Sequence, residues 1–240
     1  MIPQVRMSSF FRLAVVSACC SCLLAAAGTS RGQERETASA PPEPLSCVHA
    51  PDGRVTVRGT AMGTVFTVRA YPGHGMDAAQ TEKACMESLA CAVRWEKVMS
   101  AMDAGSGLAR LNAAENGVSV PVSLELEKAL LLALDYARLT KGAFDPTLGP
   151  CIRLWKKSRR HGVLPSGGEL ERARRASGWE KLYVGKGAAV KTVPGMRVDL
   201  GGMGKGFAVD RMAEILRKRG IRSFLSLIHI SEPTRRVVIS

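Results

Sequence analysis

Residues Val198–Gly206 read Val-Asp-Leu-Gly-Gly-Met-Gly-Lys-Gly, and this run limits what the chain can build more than any other stretch. The apolar residues from Met196 to Leu200 predict a strand, and a helix is expected from about Phe207 to Arg219, with Gly220 just beyond its end. Between them the glycines leave bare main chain that can approach a ligand closely, and a helix start favours anions. Lys205 adds a full positive charge suited to phosphate, while Asp199 suits a hydroxyl, an amide edge or a hard cation. Two common phosphate motifs fail here. A P-loop needs glycine where Asp199 stands and Ser or Thr where Gly206 stands, and the dinucleotide fingerprint fails at Phe207. Two readings remain: a tight strand-to-helix turn used for close packing, or an anion-binding loop.

The rest of the body alternates short strands with helices. Val55–Arg58 and Thr64–Ala70 read as strands around the turn Gly59-Thr60-Ala61-Met62-Gly63. Apolar spacing predicts a helix from Asp77 to about Met99 and another over Leu124–Leu139, capped by Ser123 and stopped at Lys141-Gly142. Ser166-Gly167-Gly168-Glu169 is a capping box opening a short charged helix to about Ala176, and a strand follows near Leu182–Val184. Gly142-Ala143-Phe144-Asp145-Pro146-Thr147-x-Gly149-Pro150 reads as a rigid loop presenting Asp145 and Thr147, or as a plain connection in which Asp145 caps a turn. Met62 is either a loop anchor or core. His49, His74 and His161 read as loop residues without partners. Helices inserted among short strands indicate an α+β (mixed α/β) fold class.

Both ends differ from the body. Residues 1–27 have the form of an export signal: Arg6 and Arg12 without acidic residues, an apolar run, and Ala25-Ala26-Ala27 at a cleavage position. Val16-Ser17-Ala18-Cys19 also fits a lipobox, so simple cleavage and membrane anchoring through a lipidated Cys19 both stand. Residues 28–46 are polar and Pro-rich and read as a flexible tether. From Leu225 the string LSLIHISEPTR resembles a translated sequencing adapter, so residues 225–240 are expected to be a non-native tail; the alternative is a natural edge strand. The folded body is then 47–224. Of the net charge of +13, the leader and the tail carry three, leaving +10 on residues 28–224. Of seven cysteines, Cys47, Cys85, Cys91 and Cys151 remain in the body, with no CxxC pair and no unique disulfide pairing.

In order, GTAMGT, MSAMDAGSGLARLN, GAFDPTLGPCIRLW and VDLGGMGKGFAVDRMAEILRKRGI closely resemble the flavin transferase family called ApbE, over about residues 55–224. The resemblance implies the ApbE-like flavin transferase fold, here incomplete at the C-terminus, and an FAD:protein FMN transferase. Such an enzyme moves FMN from FAD onto a Thr or Ser hydroxyl of a client protein with Mg²⁺ and releases AMP. It implies that Met62 packs on bound FAD, that Ala143, Phe144 and Asp145 line the flavin nucleotide, that Asp199 and Lys205 contact FAD, and that Gly202 contacts the metal. Met102 stands where some members carry a flavin-contacting tyrosine.

The resemblance implies that the nucleophile belongs to the client, so no internal Ser-His-Asp set is expected. Family members continue past Leu225 to complete the metal site, so the 240-residue product is expected not to transfer FMN. Two alternatives are an exported FAD-binding protein or FAD pyrophosphatase, and a basic surface-binding module. The basic cluster Lys156-Lys157-Ser158-Arg159-Arg160 lacks interleaved aromatics beyond Trp155, and export argues against nucleic acid, so no nucleic-acid partner is expected.

Overall fold

The computed structural model describes residues 45–229. The export signal with Cys19, all but the last two residues of the tether, and residues 230–240 lie outside the described residues. The described chain forms two compact units, one of residues 97–206 and one of residues 45–96 with 207–229. Among the described residues, no helix is long and apolar enough to cross a membrane.

The discontinuous unit is built on an antiparallel sheet of β1 (Ser46–His49), β2 (Val55–Ala61), β3 (Thr64–Ala70) and, from the end of the described chain, β7 (Phe224–His229), in the order β1-β2-β3-β7. One face of β2 and β3 buries Val55, Val57, Phe66 and Val68. It packs on Cys85, Leu89 and Ala92 of α1 (Ala78–Met99) and on Ala208, Met212 and Leu216 of α6 (Gly201–Lys218). The spacings of two along the strands and three or four along the helices are those of half-buried elements. Burying each such Phe, Leu or Val stabilises by roughly 1.5–3 kcal/mol.

The β2–β3 turn is shorter than expected. Gly59, Thr60 and Ala61 stay in β2, and only Met62 (φ 52°) and Gly63 (φ 68°) form the turn. Two successive positive φ angles match the twist of the flanking strands. Arg217 O accepts the Gly220 N–H and Leu216 O the Ile221 N–H, closing α6 at Gly220 (φ 83°) as its sequence predicts. β7 begins at Phe224 and runs across position 225.

The continuous unit holds a second antiparallel sheet of β4 (Ser119–Pro121), β5 (Leu182–Gly185) and β6 (Ala188–Lys191), ordered β4-β6-β5. Its helices are α2 (Gly107–Ala113), α3 (Leu124–Leu139), α4 (Gly149–His161) and α5 (Gly167–Arg175). α3 buries Leu126, Ala129, Leu130, Ala133, Leu134 and Ala137 along one stripe, and Ser123 accepts the Leu126 N–H at its start. The capping box forms in full at Ser166 and Glu169.

Two expected elements change. Met196–Leu200 joins no sheet and makes only an isolated parallel bridge, Leu148 with Arg197. α6 begins at Gly201, six residues before the expected Phe207. The Asp199 carboxylate accepts the Gly201 N–H at 2.7 Å, and Met203 is buried. Capping and packing together outweigh the poor helix propensity of the glycines. α2 and α4 were not legible as helices. α4 starts inside the expected rigid loop, where Pro150 falls in the first turn and its missing N–H costs nothing.

Lys191, at the end of β6, is 4% exposed and its ammonium donates to three carbonyls: Asn112 O at 3.0 Å, Ala114 O at 2.8 Å and Met196 O at 3.3 Å. Burial, and then the charge of Arg197, holds it below the ordinary lysine value of 10.5. Lys191→Met leaves these oxygens without their donor and is expected to destabilise the protein by about 2–4 kcal/mol in urea denaturation. Between the depressed value and 10.5 the unfolded chain binds the proton that the fold does not. The Lys191 contribution to stability therefore rises with pH through that window, a slope that Lys191→Met removes.

Candidate functional site

The site is assembled on Met196–Leu200, an irregular strap whose main chain is held by other segments. Asn112 of α2 is buried and bonds both ways to Val198: its Nδ2 donates to Val198 O at 2.8 Å, and its Oδ1 accepts the Val198 N–H at 2.6 Å. The Gly149 N–H donates to Arg197 O at 3.2 Å, and the Asp199 N–H donates to Pro146 O at 2.8 Å. Gly149 must be glycine, because a Cβ there would lie 2.5 Å from Arg197 O. Asp199 is thus fixed at the entrance to α6, with one carboxylate oxygen bonded to the Gly201 N–H.

The loop after α3 is shaped by its own sequence. Lys141 (φ 52°) and Gly142 (φ 83°) turn the chain, and Ala137 O accepts the Gly142 N–H at 2.8 Å. Thr140 Oγ1 accepts the Phe144 N–H at 3.0 Å, and the Phe144 ring meets Tyr136 edge-on at 6.3 Å between centroids. Asp145 Oδ1 accepts both the Thr147 N–H (2.7 Å) and the Thr147 hydroxyl (2.6 Å). Thr147, fully buried, accepts the Gly178 N–H at 2.7 Å. Asp145 therefore caps its own turn, and that turn carries Pro146 to the strap.

The structure joins the two glycine-rich segments. A Cβ on Gly202 would lie 3.3 Å from Phe144 Cε2, so Phe144 rests against exposed Gly202 in the first turn of α6. Lys205, half-buried, is one turn further along. Ala143 is exposed beside Phe144. Met62 is half-buried and packs against the core of the other unit. Of the expected residues, Phe144, Asp145, Asp199 and Gly202 are thus tied into one network, with Ala143 and Lys205 adjoining it in sequence.

Asp199 also lines an open cleft of ≈ 940 Å³ within residues 97–206. Its wall is basic: Arg153, Lys156, Lys157, Arg160, Arg172 and Arg197 line it, against Glu169 and Asp199. Burial, followed by the charge of Arg153, depresses the pKa of Arg197. Met102 stands at this cleft with 92% of its surface exposed. Sequence reasoning missed Asn112 and Arg197 entirely. Nothing local marks an asparagine whose partner lies 86 residues away. Two of the histidines are not loop residues: His161 closes α4, and His49 lies on β1 with Nε2 2.7 Å from Glu82 Oε2.

Residues 62–229 match the family model described as the ApbE family, and the chain belongs to that family. It is 29% identical over 183 residues to the FAD:protein FMN transferase of Vibrio cholerae, covering 75% of this chain and 54% of that protein. It is 31% identical over 171 residues to the FAD:protein FMN transferase of Treponema pallidum, covering 68% and 47%. Among solved structures it resembles the flavin transferase ApbE from Vibrio cholerae, with a TM-score of 0.65, 28% identity, and coverage of 74% of this chain and 57% of that one. The ApbE protein from Thermotoga maritima gives 0.59 and 27%, covering 68% and 52%. The chain spans about half the length of the curated relatives it matches.

Asn112→Leu removes both bonds to Val198 at nearly constant volume. It is expected to destabilise the protein by about 2–4 kcal/mol, since a buried N–H and a buried C=O lose their partner. A melting temperature within about 1 °C of the parent would show that the strap holds itself.

Proposed function

We propose that the chain supplies the nucleotide-binding part of an FAD:protein FMN transferase. The observation that carries this reading is the position of Asp199, on the lip of a basic cleft and at the head of α6, inside a match to the ApbE family. In the reaction, a Thr or Ser hydroxyl of a client protein attacks the FMN phosphorus of FAD. A new P–O bond forms to the client, the diphosphate bond breaks, AMP leaves, and the hydroxyl proton is lost. The basic cleft draws in the diphosphate, Lys205 offers it a further cation, and Phe144 and Ala143 present an apolar edge to the nucleotide. Met62 is assigned a packing contact with FAD on the family resemblance.

The donor chemistry fits a hard cation such as Mg²⁺. Asp145 and Asp199 are carboxylates on main-chain segments joined through Pro146 O, and exposed Gly202 leaves the start of α6 open to approach. Mg²⁺, when bound, neutralises charge developing on the diphosphate oxygens. The reading extends to export by residues 1–27, a tether over 28–46, attachment through Cys19 as one of two processing routes, a body of 47–224, and a non-native tail from 225.

Asp199→Asn keeps an oxygen for the Gly201 N–H but removes the charge. It and Lys205→Ala are expected to weaken FAD binding at least about 10-fold by flavin fluorescence titration, a loss of roughly 1.4 kcal/mol each. Melting temperatures should change little. Covalent transfer is read separately, by in-gel flavin fluorescence of a threonine-bearing client with FAD and Mg²⁺, using the chain extended to its relatives' length. Unchanged FAD affinity in both variants would overturn the site. FMN and AMP without labelled client would replace transfer by hydrolysis.

A further inference from the structure

Cys47 and His49 alternate on β1, so their side chains leave the same face of the strand. Their register partners on β2, Val57 and Val55, are fully buried in the cluster to which α1 contributes. That face is therefore the one α1 covers, and Glu82 comes from the second turn of α1. The Cys47 sulfur, a His49 ring nitrogen and a Glu82 carboxylate oxygen all lie within 4.8 Å of one another. The group remains open to solvent: the side chains of His49 and Glu82 are 44% and 34% exposed, and Cys47 is half-buried.

We propose that Cys47, His49 and Glu82 form a binding site for Zn²⁺, with a fourth position left for water or an exchangeable ligand. A solvent-exposed His–Glu pair alone contributes at most about 1 kcal/mol and has no need of a thiol beside it. Three different donors converging from two elements are what a borderline cation takes. The thiolate and imidazole select a transition metal over Mg²⁺ or Ca²⁺. Ligand bonds of about 2.0–2.3 Å place donor atoms roughly 3.3–3.8 Å apart around a tetrahedral ion. The His49–Glu82 contact must widen from 2.7 Å, and the other separations need contract by no more than about 1 Å, which side-chain rotation on an edge strand supplies. Three protein ligands with one open position is the arrangement of exchangeable zinc sites. These residues belong to the unit of 45–96 with 207–229, whereas Gly202 belongs to residues 97–206.

Co²⁺ titration of the reduced full chain tests the assignment. A thiolate-to-cobalt charge-transfer band and tetrahedral ligand-field bands should saturate at one equivalent, and Zn²⁺ should displace them. Cys47→Ser should abolish the charge-transfer band. His49→Ala and Glu82→Gln should weaken binding more than about 100-fold, beyond the loss typical of an outer-shell partner. Cys85→Ala, one turn along α1 from Glu82, should leave the spectrum unchanged and exclude a Cys47–Cys85 pair as its source. Zn²⁺ should also slow alkylation of Cys47 in the unmutated protein, a readout independent of how any variant folds. The proposal is overturned by the absence of the band in the parent, or by its survival in Cys47→Ser. Loss of the band in Cys85→Ala, or alkylation of Cys47 indifferent to Zn²⁺, overturns it equally.

Discussion

The continuous unit depends on how Met196–Leu200, a largely buried segment outside any sheet, satisfies its main chain. A buried N–H or C=O without a partner is costly, and a strand would normally solve this with a ladder of neighbours. Here the partners are drawn one at a time from separate places: Lys191 for Met196, Gly149 for Arg197, Asn112 for Val198 and Pro146 for Asp199. Leu200 then accepts the N–H groups of Met203 and Gly204, so the strap passes directly into α6. Asn112, the Pro146–Gly149 stretch and Lys191 lie far from one another in sequence, so the strap's bonds depend on α2, β6 and the loop after α3 being gathered around it.

The same arrangement decides what the site can do chemically. A free strand end would leave Asp199 mobile, whereas here its main chain is bonded to Pro146 and its carboxylate to Gly201. A fixed carboxylate beside a wall of arginines and lysines sets two demands on a ligand. It must carry negative charge to meet the wall, and it must offer a hydroxyl, an amide edge or a bridging cation to Asp199. A dinucleotide with a diphosphate at its centre meets both. Glycine at 202 leaves Phe144 room to lie on the first turn of α6, so the apolar and charged parts of the site share one support.

Elements with strong local signals were legible: the two hairpin strands, α1, α3 with its Ser123 cap, and the capping box of α5 all fall within a few residues of where their patterns put them. These are the places where propensity, capping and apolar period agree. Met196–Leu200 was misread because a buried apolar run looks like a strand whether its bonds go to a ladder or to side chains. The glycines of 201–206 hid the start of α6, since the burial of Met203 and the carboxylate of Asp199 outweigh a local preference against helix. His49 shows the same limit in the discontinuous unit, because its partner Glu82 comes from a different element.

Taken alone, the sequence determined the mixed α/β class, the order of motifs that marks the ApbE family, and the residue types available for a nucleotide: Asp145, Asp199, Lys205 and the glycines between. Only the tertiary structure decided that one Asp145 carboxylate oxygen holds Thr147, that Phe144 rests on Gly202, and that Asn112, Lys191 and Arg197 belong with the site. It alone brought Cys47, His49 and Glu82 together. The physical reason is one of range. Capping, turn strain and apolar period act over a few residues and can be read along the chain. Hydrogen bonds and packing between distant segments depend on which segments the closed core has already brought within reach.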